Sequence, residues 1–285
     1  MSKFPSPSEI DKFIENIIAE DLTDHDITSE SVIDQNIECN AVIEAKTKGI
    51  LCGIGLVGKI FLQIDPTIVV TKIIEDGTAI SPGDTLLKLN GKARAILAGE
   101  RTALNLLQHL SGISTLTGQF VEQVRKSKAV ITDTRKTLPG LRGLQKYAVS
   151  KGGGHNHRMN LADGILIKDN HIKFNEINGL SISDVVKKSR ANSDVSMKIE
   201  VEVDHIDQIE SALGAGADVI MLDNMDPPTM ARAVQLISGR AVVEASGSIT
   251  LSTVAAVAES GVDVISVGWI THSAPCLDLG LDFQD

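Results

Sequence analysis

The residues best suited to chemistry lie in one stretch of the chain, from Asp133 to His171. This stretch holds seven Lys and Arg residues against three Asp and no Glu, a local net charge of +4 in a chain whose net charge is −10. Three of the seven histidines, His155, His157 and His171, lie there as well. A local excess of positive charge in an acidic protein indicates a focused site for an anionic small molecule.

Two segments of this basic stretch follow apolar runs. In DTRKTLPGLR (133–142), Arg135 offers a planar fork and Lys136 a compact charge to carboxylate or phosphate oxygens. A solvated basic turn has the same composition. In IKDNH (167–171), Lys168 either faces the site or extends to water. The clustering of other basic groups favours the site.

The third segment, GGGHNHR (152–158), places three glycines before two histidines and an arginine. A glycine run brings backbone amides close to a ligand, or is simply flexible. His157 and Arg158 directly after it favour ligand binding. A zinc site from His155 and His157 lacks a nearby third ligand, so we do not favour it.

Carboxylates come from two later apolar runs. In EVEVD (200–204), Glu200 and Glu202 share one face of a predicted strand. A carboxylate in a packed interior needs a cation or a metal beside it. Asp223, which ends VIMLD, is the natural companion of Glu202 for Mg²⁺. For Glu200 we prefer a structural ion pair or a place in the outer layer.

Glycine turns follow the last two apolar runs, in SGS (246–248) and VGW (267–269). In βα barrels the final two loops frequently bind phosphate through backbone amides and a helix N-terminus. Each turn is weak evidence alone, but as the last two of the series they predict a phosphate site.

The elements that must position these residues are alternating strands and helices. Six short runs have strand character: 129–132, 165–168, 198–203, 219–223, 241–245 and 264–268. Spacers of roughly 15–30 residues suit βαβ crossovers and a parallel sheet. An α/β barrel or a doubly wound sheet fits this order, and six strands where a full barrel has eight predict an incomplete barrel.

The first part of the chain is organised differently. A helix over 7–20 is followed by strand-like segments with turns at Asp76-Gly77 and Pro82-Gly83-Asp84. A helix with Leu104, Leu107 and Leu110 in register then precedes a boundary near Gly112. We therefore predict two domains, an α+β domain over 1–113 and a barrel domain over 114–271.

Composition excludes several classes of function. Aromatic residues make up 3% of the chain, which together with the negative charge argues against a nucleic-acid-binding surface. No apolar run approaches the ~18 residues that a membrane span needs. The three widely spaced cysteines form no CxxC pair, which fits a reducing compartment. We expect a cytoplasmic protein with no membrane or nucleic-acid partner.

The motifs together resemble the quinolinate phosphoribosyltransferase family over essentially the whole chain. The segments that carry the resemblance are ERTALNLLQHLSGIST, DTRKTLPGLRGLQKYAV, GGGHNHRMNLADGILIKDNH, EVEVD, MLDNM, EASGSI and VGWITHS. The resemblance implies an N-terminal α/β sandwich, a seven-stranded α/β barrel and a C-terminal tail (272–285) that returns to the first domain.

The resemblance also implies a reaction. Quinolinate would react with phosphoribosyl pyrophosphate (PRPP) in the presence of Mg²⁺, giving nicotinate mononucleotide, pyrophosphate and CO₂ for NAD biosynthesis. Members of the family form dimers in which the neighbouring subunit completes each site, and a hexamer is the alternative assembly. Arg101 would therefore come from the partner subunit.

The family's site residues carry over onto matching positions of this sequence. The substrates would contact Arg101, Thr134, Arg135, Lys136, His157, Arg158 and Lys168. Among these, Arg101, Arg135, Lys136, His157 and Arg158 would face the quinolinate carboxylates, and Lys168 would lie near the ribose and pyrophosphate. Catalysis would involve Lys136, Lys168, Glu202 and Asp223, the last two also near Mg²⁺. The 5′-phosphate would contact Ser246, Gly247, Ser248, Val267, Gly268 and Trp269. Trp269 departs from the pattern, because a small residue is expected there.

Two other functions fit parts of the sequence. A barrel lysine such as Lys168 can form a Schiff base, as in a lyase or aldolase. A binding protein that kept the fold would bind ligand without turnover. The presence of Glu202 and Asp223 argues against the second, because a binder does not need metal carboxylates.

Overall fold

The structure, a computed structural model, describes residues 5–284 and divides into two compact units. The first unit contains the chain up to Gly118, the segment Pro139–Gly153 and the segment from Ser273 onward. The second contains Gln119–Leu138 and Gly154–His272. The structure thus differs from the predicted domains in Pro139–Gly153, which the prediction had assigned to the barrel.

The elements of both units are numbered here in chain order. The helices are α1 (Pro7–Asp21), α2 (Ile27–Val32), α3 (Ile54–Ile64), α4 (Ala93–Val124), α5 (Arg142–Lys151), α6 (Asp169–Ile177), α7 (Ile182–Ala191), α8 (Ile209–Gly214), α9 (Pro227–Ile237), α10 (Val254–Glu259) and α11 (Trp269–His272), with a 3₁₀ turn at Ile206–Gln208. The strands are β1 (Glu38–Ala45), β2 (Gly49–Ile50), β3 (Val69–Lys72), β4 (Ala79–Ile80), β5 (Thr85–Lys92), β6 (Val130–Thr132), β7 (Ile165–Ile167), β8 (Ile199–Val203), β9 (Val219–Asp223), β10 (Val242–Ser246), β11 (Val264–Ser266) and β12 (Leu279–Gln284).

The first unit is built on an antiparallel sheet with the strand order β12-β1-β5-β3. The predicted helix at the start of the chain is α1, which Ser6 and Glu9 begin with a capping box and Pro7 at the first position. The chain's last strand, β12, pairs with β1, so the tail from Ser273 onward belongs to this unit. A side chain at Gly112 would collide with the backbone of Pro275, so glycine lets the tail cross α4 closely.

Helix α5 belongs to the first unit because its polar side chains bond there. The Tyr147 hydroxyl donates to Asp76 Oδ2 at 2.9 Å. Gln145 Nε2 lies 2.9 Å from Nε2 of His109 on α4. The sequence offers no signal for these contacts, since the paired residues lie 71 and 36 positions apart.

The second unit is built on a parallel sheet with the order β6-β11-β10-β9-β8-β7. Each of the six predicted strand runs forms one of these strands. At the β6 edge, His155 adds an isolated parallel bridge to Thr132, a single-residue counterpart of a seventh strand. The predicted α/β class, an α/β sandwich followed by an incomplete barrel, is confirmed.

The two faces of this sheet carry different residues. Ile199, Val201 and Val203 of β8 are fully buried, as expected of a strand covered by helices. Glu200 and Glu202 occupy the alternate positions and are also buried. The polar face and the carboxyl ends of the strands together form the site. In the described part of the chain, no helix is long and apolar enough to cross a membrane.

Candidate active site

A cavity of about 570 Å³ opens at the carboxyl ends of the parallel strands. Eleven predicted site residues line it: Thr134, Arg135, Lys136, His157, Arg158, Lys168, Glu202, Asp223, Ser246, Gly247 and Ser248. The other lining residues are Leu166, Met221, Asn224, Glu244 and Ser266. Motifs that are far apart in the sequence thus share one cavity.

Asp133 joins the two basic loops at one end of the cavity. Its carboxylate is fully buried, and Oδ1 accepts a hydrogen bond of 2.9 Å from the backbone N–H of His157. The backbone N–H of Asp133 donates in turn to the carbonyl of His155. The loop that follows β6 and the loop that carries His157 and Arg158 are therefore held to each other by buried bonds.

His157 lies against two carboxylates. Its Nε2 atom is 3.2 Å from Oε2 of Glu200 and 3.4 Å from Oε2 of Glu244. Burial by itself would lower the pKa of His157, but the hydrogen bonds to Glu200 and Glu244 outweigh it and raise the pKa to about 10. Burial also raises the pKa of Glu200. The preferred structural ion pair for Glu200 is present, and its partner is a predicted ligand-binding residue.

Lys168 lies against Glu202, the other buried carboxylate of β8. Its Nζ atom is 2.6 Å from Oε2 of Glu202, whose side chain is buried. The backbone N–H of Lys168 donates to Nδ1 of His171 at 2.9 Å, which helps to fix the start of α6. An ammonium group in contact with a carboxylate is suited to charge stabilisation rather than to nucleophilic attack.

Asp223 ends β9 beside a strained residue. Asn224 has φ of 53° and donates from Nδ2 to Asp223 Oδ2 at 2.7 Å. The Ser248 hydroxyl donates to Asn224 Oδ1 at 3.3 Å. The left-handed backbone of Asn224 is uncommon for a residue with a side chain and is maintained by these contacts.

A second cavity of about 390 Å³ shares Thr134, Lys136, Ser246, Gly247, Ser248 and Ser266 with the first. All six predicted phosphate-binding residues line it. Gly247 has φ of 91°, and a Cβ there would lie 2.3 Å from Asn224 Oδ1. Glycine is therefore required at this position both by the backbone conformation and by the close approach.

The ring of Trp269, the residue that departs from the family pattern, packs against another aromatic side chain. It makes an edge-on contact with Phe120, with ring centroids 6.2 Å apart and an interplanar angle of 86°. This is a favourable geometry for an aromatic pair. Trp269 also begins the short helix α11 and lines the second cavity.

Family models match both parts of the chain. The quinolinate phosphoribosyl transferase N-terminal domain matches residues 26–111, and the C-terminal domain matches residues 113–282. The chain belongs to the quinolinate phosphoribosyl transferase family. The resemblance to this family that the sequence motifs indicate is thereby confirmed.

Individual relatives of the quinolinate phosphoribosyl transferase family agree. The chain is 41% identical to a probable carboxylating nicotinate-nucleotide pyrophosphorylase of Bacillus subtilis, over 96% of this chain and 93% of the relative. It is 40% identical to the carboxylating nicotinate-nucleotide pyrophosphorylase of Mycobacterium leprae, over 90% of each. The solved nicotinate-nucleotide pyrophosphorylase of Francisella tularensis superposes with a TM-score of 0.93 at 36% identity, covering 99% of this chain and 98% of that one.

One predicted site residue of this quinolinate phosphoribosyl transferase family member lies in the other unit. Arg101 is on the part of α4 that belongs to the first unit, and its side chain is 62% exposed. Its nearest acidic contact is Glu100 at 3.9 Å. An assignment of Arg101 to the quinolinate site stays a prediction.

Sequence reasoning missed Glu244, Asn224 and Ser266, which line the cavity. Glu244 had a usable signal, because it is the single charge in the apolar run AVVEA. A charge within an apolar strand run needs a partner, as Glu200 and Glu202 do. Asn224 had none, since Asn after a strand is a common turn residue. Ser266, the buried last residue of β11, had none either. Among the described residues, the only group of three close metal-ligand atoms is His157, Glu200 and Glu244. His155 is not a member of this group.

Proposed function

We propose that the protein transfers the phosphoribosyl group of PRPP to quinolinate and releases CO₂ and pyrophosphate, giving nicotinate mononucleotide for NAD biosynthesis. The observation that carries this proposal is a pair of cavities that share part of their lining. The first is lined by cationic side chains and carboxylates (the cationic end), and the second by the residues of both glycine loops (the glycine end). Membership of the quinolinate phosphoribosyl transferase family supports the same reaction.

Quinolinate occupies the cationic end in this proposal. Its two carboxylates pair with Arg135, Lys136, His157 and Arg158, in charge-assisted hydrogen bonds that are stronger than neutral ones. Thr134 accepts the backbone N–H of Lys136 at 3.0 Å, and Thr271 donates to the Lys136 carbonyl at 2.8 Å. These bonds fix the backbone of Lys136, whose side chain lines the cavity.

PRPP occupies the glycine end. Its 5′-phosphate binds the backbone of Ser246–Ser248 and Val267–Trp269, as phosphates do at loops and helix starts after the last barrel strands. The support is the close approach at Gly247 and at Gly268, where a Cβ would lie 3.0 Å from Lys136 Cδ. A side chain at either position would reduce the room for phosphate.

Glu202 and Asp223 fit Mg²⁺ through their oxygen donors. Both line the cavity, and Mg²⁺ typically binds to one or two carboxylates together with substrate phosphates and water. When bound, the ion would offset negative charge on the departing pyrophosphate. Lys168 already lies 2.6 Å from Glu202, so a water-mediated contact fits Glu202 as well as a direct one.

Catalysis then rests on position and charge. The C1–pyrophosphate bond breaks with its electron pair going to oxygen, and the carboxylates of Glu202 and Asp223 stabilise the oxocarbenium-like sugar. The quinolinate ring nitrogen, held by the cationic end, donates its lone pair to C1. The pyridinium formed accepts the electron pair of the breaking C–CO₂ bond, and a proton replaces CO₂. No covalent enzyme intermediate is needed.

The Schiff-base alternative is weaker in this setting because Lys168 contacts Glu202. Borohydride treatment in the presence of substrate would trap an adduct on Lys168 if the alternative held. We expect no adduct.

We further propose that the protein is a cytoplasmic homodimer in which Arg101 of one subunit reaches the quinolinate site of the other. The exposed side chain of Arg101 supports its contribution to a neighbouring subunit. The free cysteines Cys39, Cys52 and Cys276 support the cytoplasmic location. Sedimentation would give the subunit number. Mixed dimers of an Arg101→Ala subunit and an Lys168→Ala subunit should regain activity in one of their two sites.

The test of the function is direct. Purified protein is mixed with quinolinate, PRPP and Mg²⁺, and nicotinate mononucleotide and CO₂ are measured in equal amounts. Nicotinate replaces quinolinate in the control, because it lacks the carboxylate that leaves as CO₂. Absence of turnover with quinolinate across pH and metal concentration would refute the proposal, and ligand binding without turnover would support the binding-protein alternative.

A further inference from the structure

Two buried carboxylates meet at one nitrogen of His157. Glu200 comes from β8 and Glu244 from β10, with β9 between the two strands. The side chains of His157, Glu200 and Glu244 are 16%, 10% and 4% exposed. The arrangement therefore lies largely out of contact with water, where the charges of its members decide its stability.

The geometry demands a positive partner for these acids. Oε1 of Glu200 and Oε1 of Glu244 are both buried, and neither accepts a hydrogen bond. A neutral imidazole would offer one N–H to two carboxylates that are otherwise poorly compensated, and buried charge of this kind is costly. An imidazolium ion offsets one of the two negative charges. The raised pKa of His157, to about 10, agrees with this state.

Two further acids near this cluster, Glu202 and Asp133, have partners of their own. Glu202 contacts Lys168 at 2.6 Å, and the Asp133 carboxylate accepts a hydrogen bond from the backbone N–H of His157. Arg158, next in the chain, interacts electrostatically with Glu200 and supplies the second positive charge. The cluster thus has two acids and two cations, and both cations line the cavity.

We propose that Glu200 and Glu244 are positioning residues that hold His157 as a permanently charged and oriented cation for a quinolinate carboxylate. This inference rests on the proposed function. His157 in this role binds substrate by its charge and does not carry protons during the reaction. Replacing either acid should weaken quinolinate binding with little effect on PRPP, although neither acid needs to touch quinolinate.

A metal ion is the competing occupant of the same atoms. The ligand atoms of the three side chains lie within 4.8 Å of one another. A metal-bound histidine has to be unprotonated, so a metal ion and the imidazolium ion exclude each other. The charge state of His157 therefore decides between them.

The first experiment measures that charge state without substrate. Nitrogen-15 NMR of labelled histidines follows the ring signals of the seven histidines between pH 5 and 9, with His157 assigned by the His157→Gln variant. In the wild-type protein we expect His157 to stay protonated throughout. In Glu200→Gln and Glu244→Gln, which keep the side-chain shape, its midpoint should fall into the titrated range, to about pH 7 or lower, and further in the double variant. Glu259→Gln, an exposed acid at the end of α10, is the matched control.

The second experiment measures binding. In the wild-type protein, His157 should stay protonated between pH 6 and 8. Its titration should therefore not change the KM for quinolinate over this range. In Glu244→Gln this KM should rise at least 10-fold between pH 6 and 8 as the ring loses its proton, with kcat and the KM for PRPP changed less than about 3-fold. A structural role alone would lower thermal stability without this pH dependence. Circular dichroism melting identifies a variant that does not fold, and the other acid's variant then carries the test.

The outcomes separate the two proposals. A wild-type His157 that titrates near neutral pH, or variants with the wild-type profile, would overturn the positioning role even if the enzyme turns over quinolinate. One equivalent of zinc bound from zinc sulfate, and lost in Glu244→Gln, would also overturn it. If His157 is charged as expected but quinolinate and PRPP do not react, the proposed function fails and the charge assignment stands.

Discussion

The two adjoining cavities, here the cationic end and the glycine end, present different kinds of groups to a ligand. The cationic end uses charged side chains, His157 and Arg158 among them, and the charge of His157 depends on the buried acids Glu200 and Glu244. The glycine end uses backbone, and Gly247 and Gly268 leave room where a Cβ would meet neighbouring atoms. The cationic end should therefore be sensitive to loss of charge, and the glycine end to added atoms.

The largest effect is expected at the cationic end from Arg158→Ala. Loss of one charge-assisted contact costs ~1.5–3 kcal/mol, so kcat/KM for quinolinate should fall roughly 10–150-fold. Steady-state kinetics with quinolinate varied at saturating PRPP would measure it. Arg232→Ala, on exposed α9, is the control and should leave the kinetics unchanged. An unchanged kcat/KM in Arg158→Ala would remove this residue from the quinolinate site.

The next effect is expected at the glycine end from Gly247→Ala. A left-handed conformation costs an L-residue ~1–2 kcal/mol, and relief of the added contact with Asn224 should displace the loop. We expect KM for PRPP to rise roughly 5–30-fold, as the same free energy implies.

Gly239→Ala separates strain from ligand contact in this comparison. Gly239 has φ of 75°, and a Cβ there would meet nothing within 4 Å. Gly239→Ala should lower the melting temperature through backbone strain alone, and so by less than Gly247→Ala, with PRPP kinetics preserved. A similar KM increase in both variants would mean that general loosening, and not the phosphate loop, is responsible.

A smaller effect is expected between the two ends from Asp223→Asn. The amide keeps the shape but removes the negative charge, so the Mg²⁺ concentration for half-maximal rate should rise about 5-fold, equivalent to roughly 1 kcal/mol for a contact through water. Asp204→Asn, after the neighbouring strand β8 and outside the cavity lining, serves as control. A wild-type magnesium titration of Asp223→Asn would contradict a role in metal binding.

The smallest effect on catalysis is expected from Trp269→Leu. If the loop acts through its backbone, KM for PRPP should change less than about 3-fold, while loss of the edge-on contact with Phe120 lowers stability by ~0.5–1.5 kcal/mol beyond the loss of buried area. Phe120→Leu should have a similar effect on the melting temperature. A large KM change in Trp269→Leu alone would show that the indole ring contacts PRPP.

Much of the fold could be predicted from local pattern. All six parallel strands form where apolar runs of strand length alternate with amphipathic segments, because burial on both faces leaves a continuous apolar signal. Pro139–Gly153 could not be assigned in this way. Its place in the first unit depends on contacts such as Tyr147 with Asp76, and no local pattern records a partner 71 residues away.

The candidate site divides in the same way. Arg135, Lys136, Arg158 and Lys168 could be identified from the sequence alone, because several positive charges at loop and strand ends have few structural uses. The same holds for the glycines of the last two loops. Pairing could not be identified: the structure puts Glu202 on Lys168 and Glu200 on His157, and no sequence pattern indicates either contact.

The sequence by itself thus determined which kinds of residue line the cavities at the ends of the parallel strands: cationic side chains, carboxylates and glycine loops. Only the tertiary structure decided which acid compensates which cation. The physical reason is that strand periodicity places Glu200 and Glu202 on one face but does not specify what lies opposite each of them. That depends on the loop after Gly154 folding across the strand ends, which brings His157 to Glu200 and Glu244 and makes it a cation.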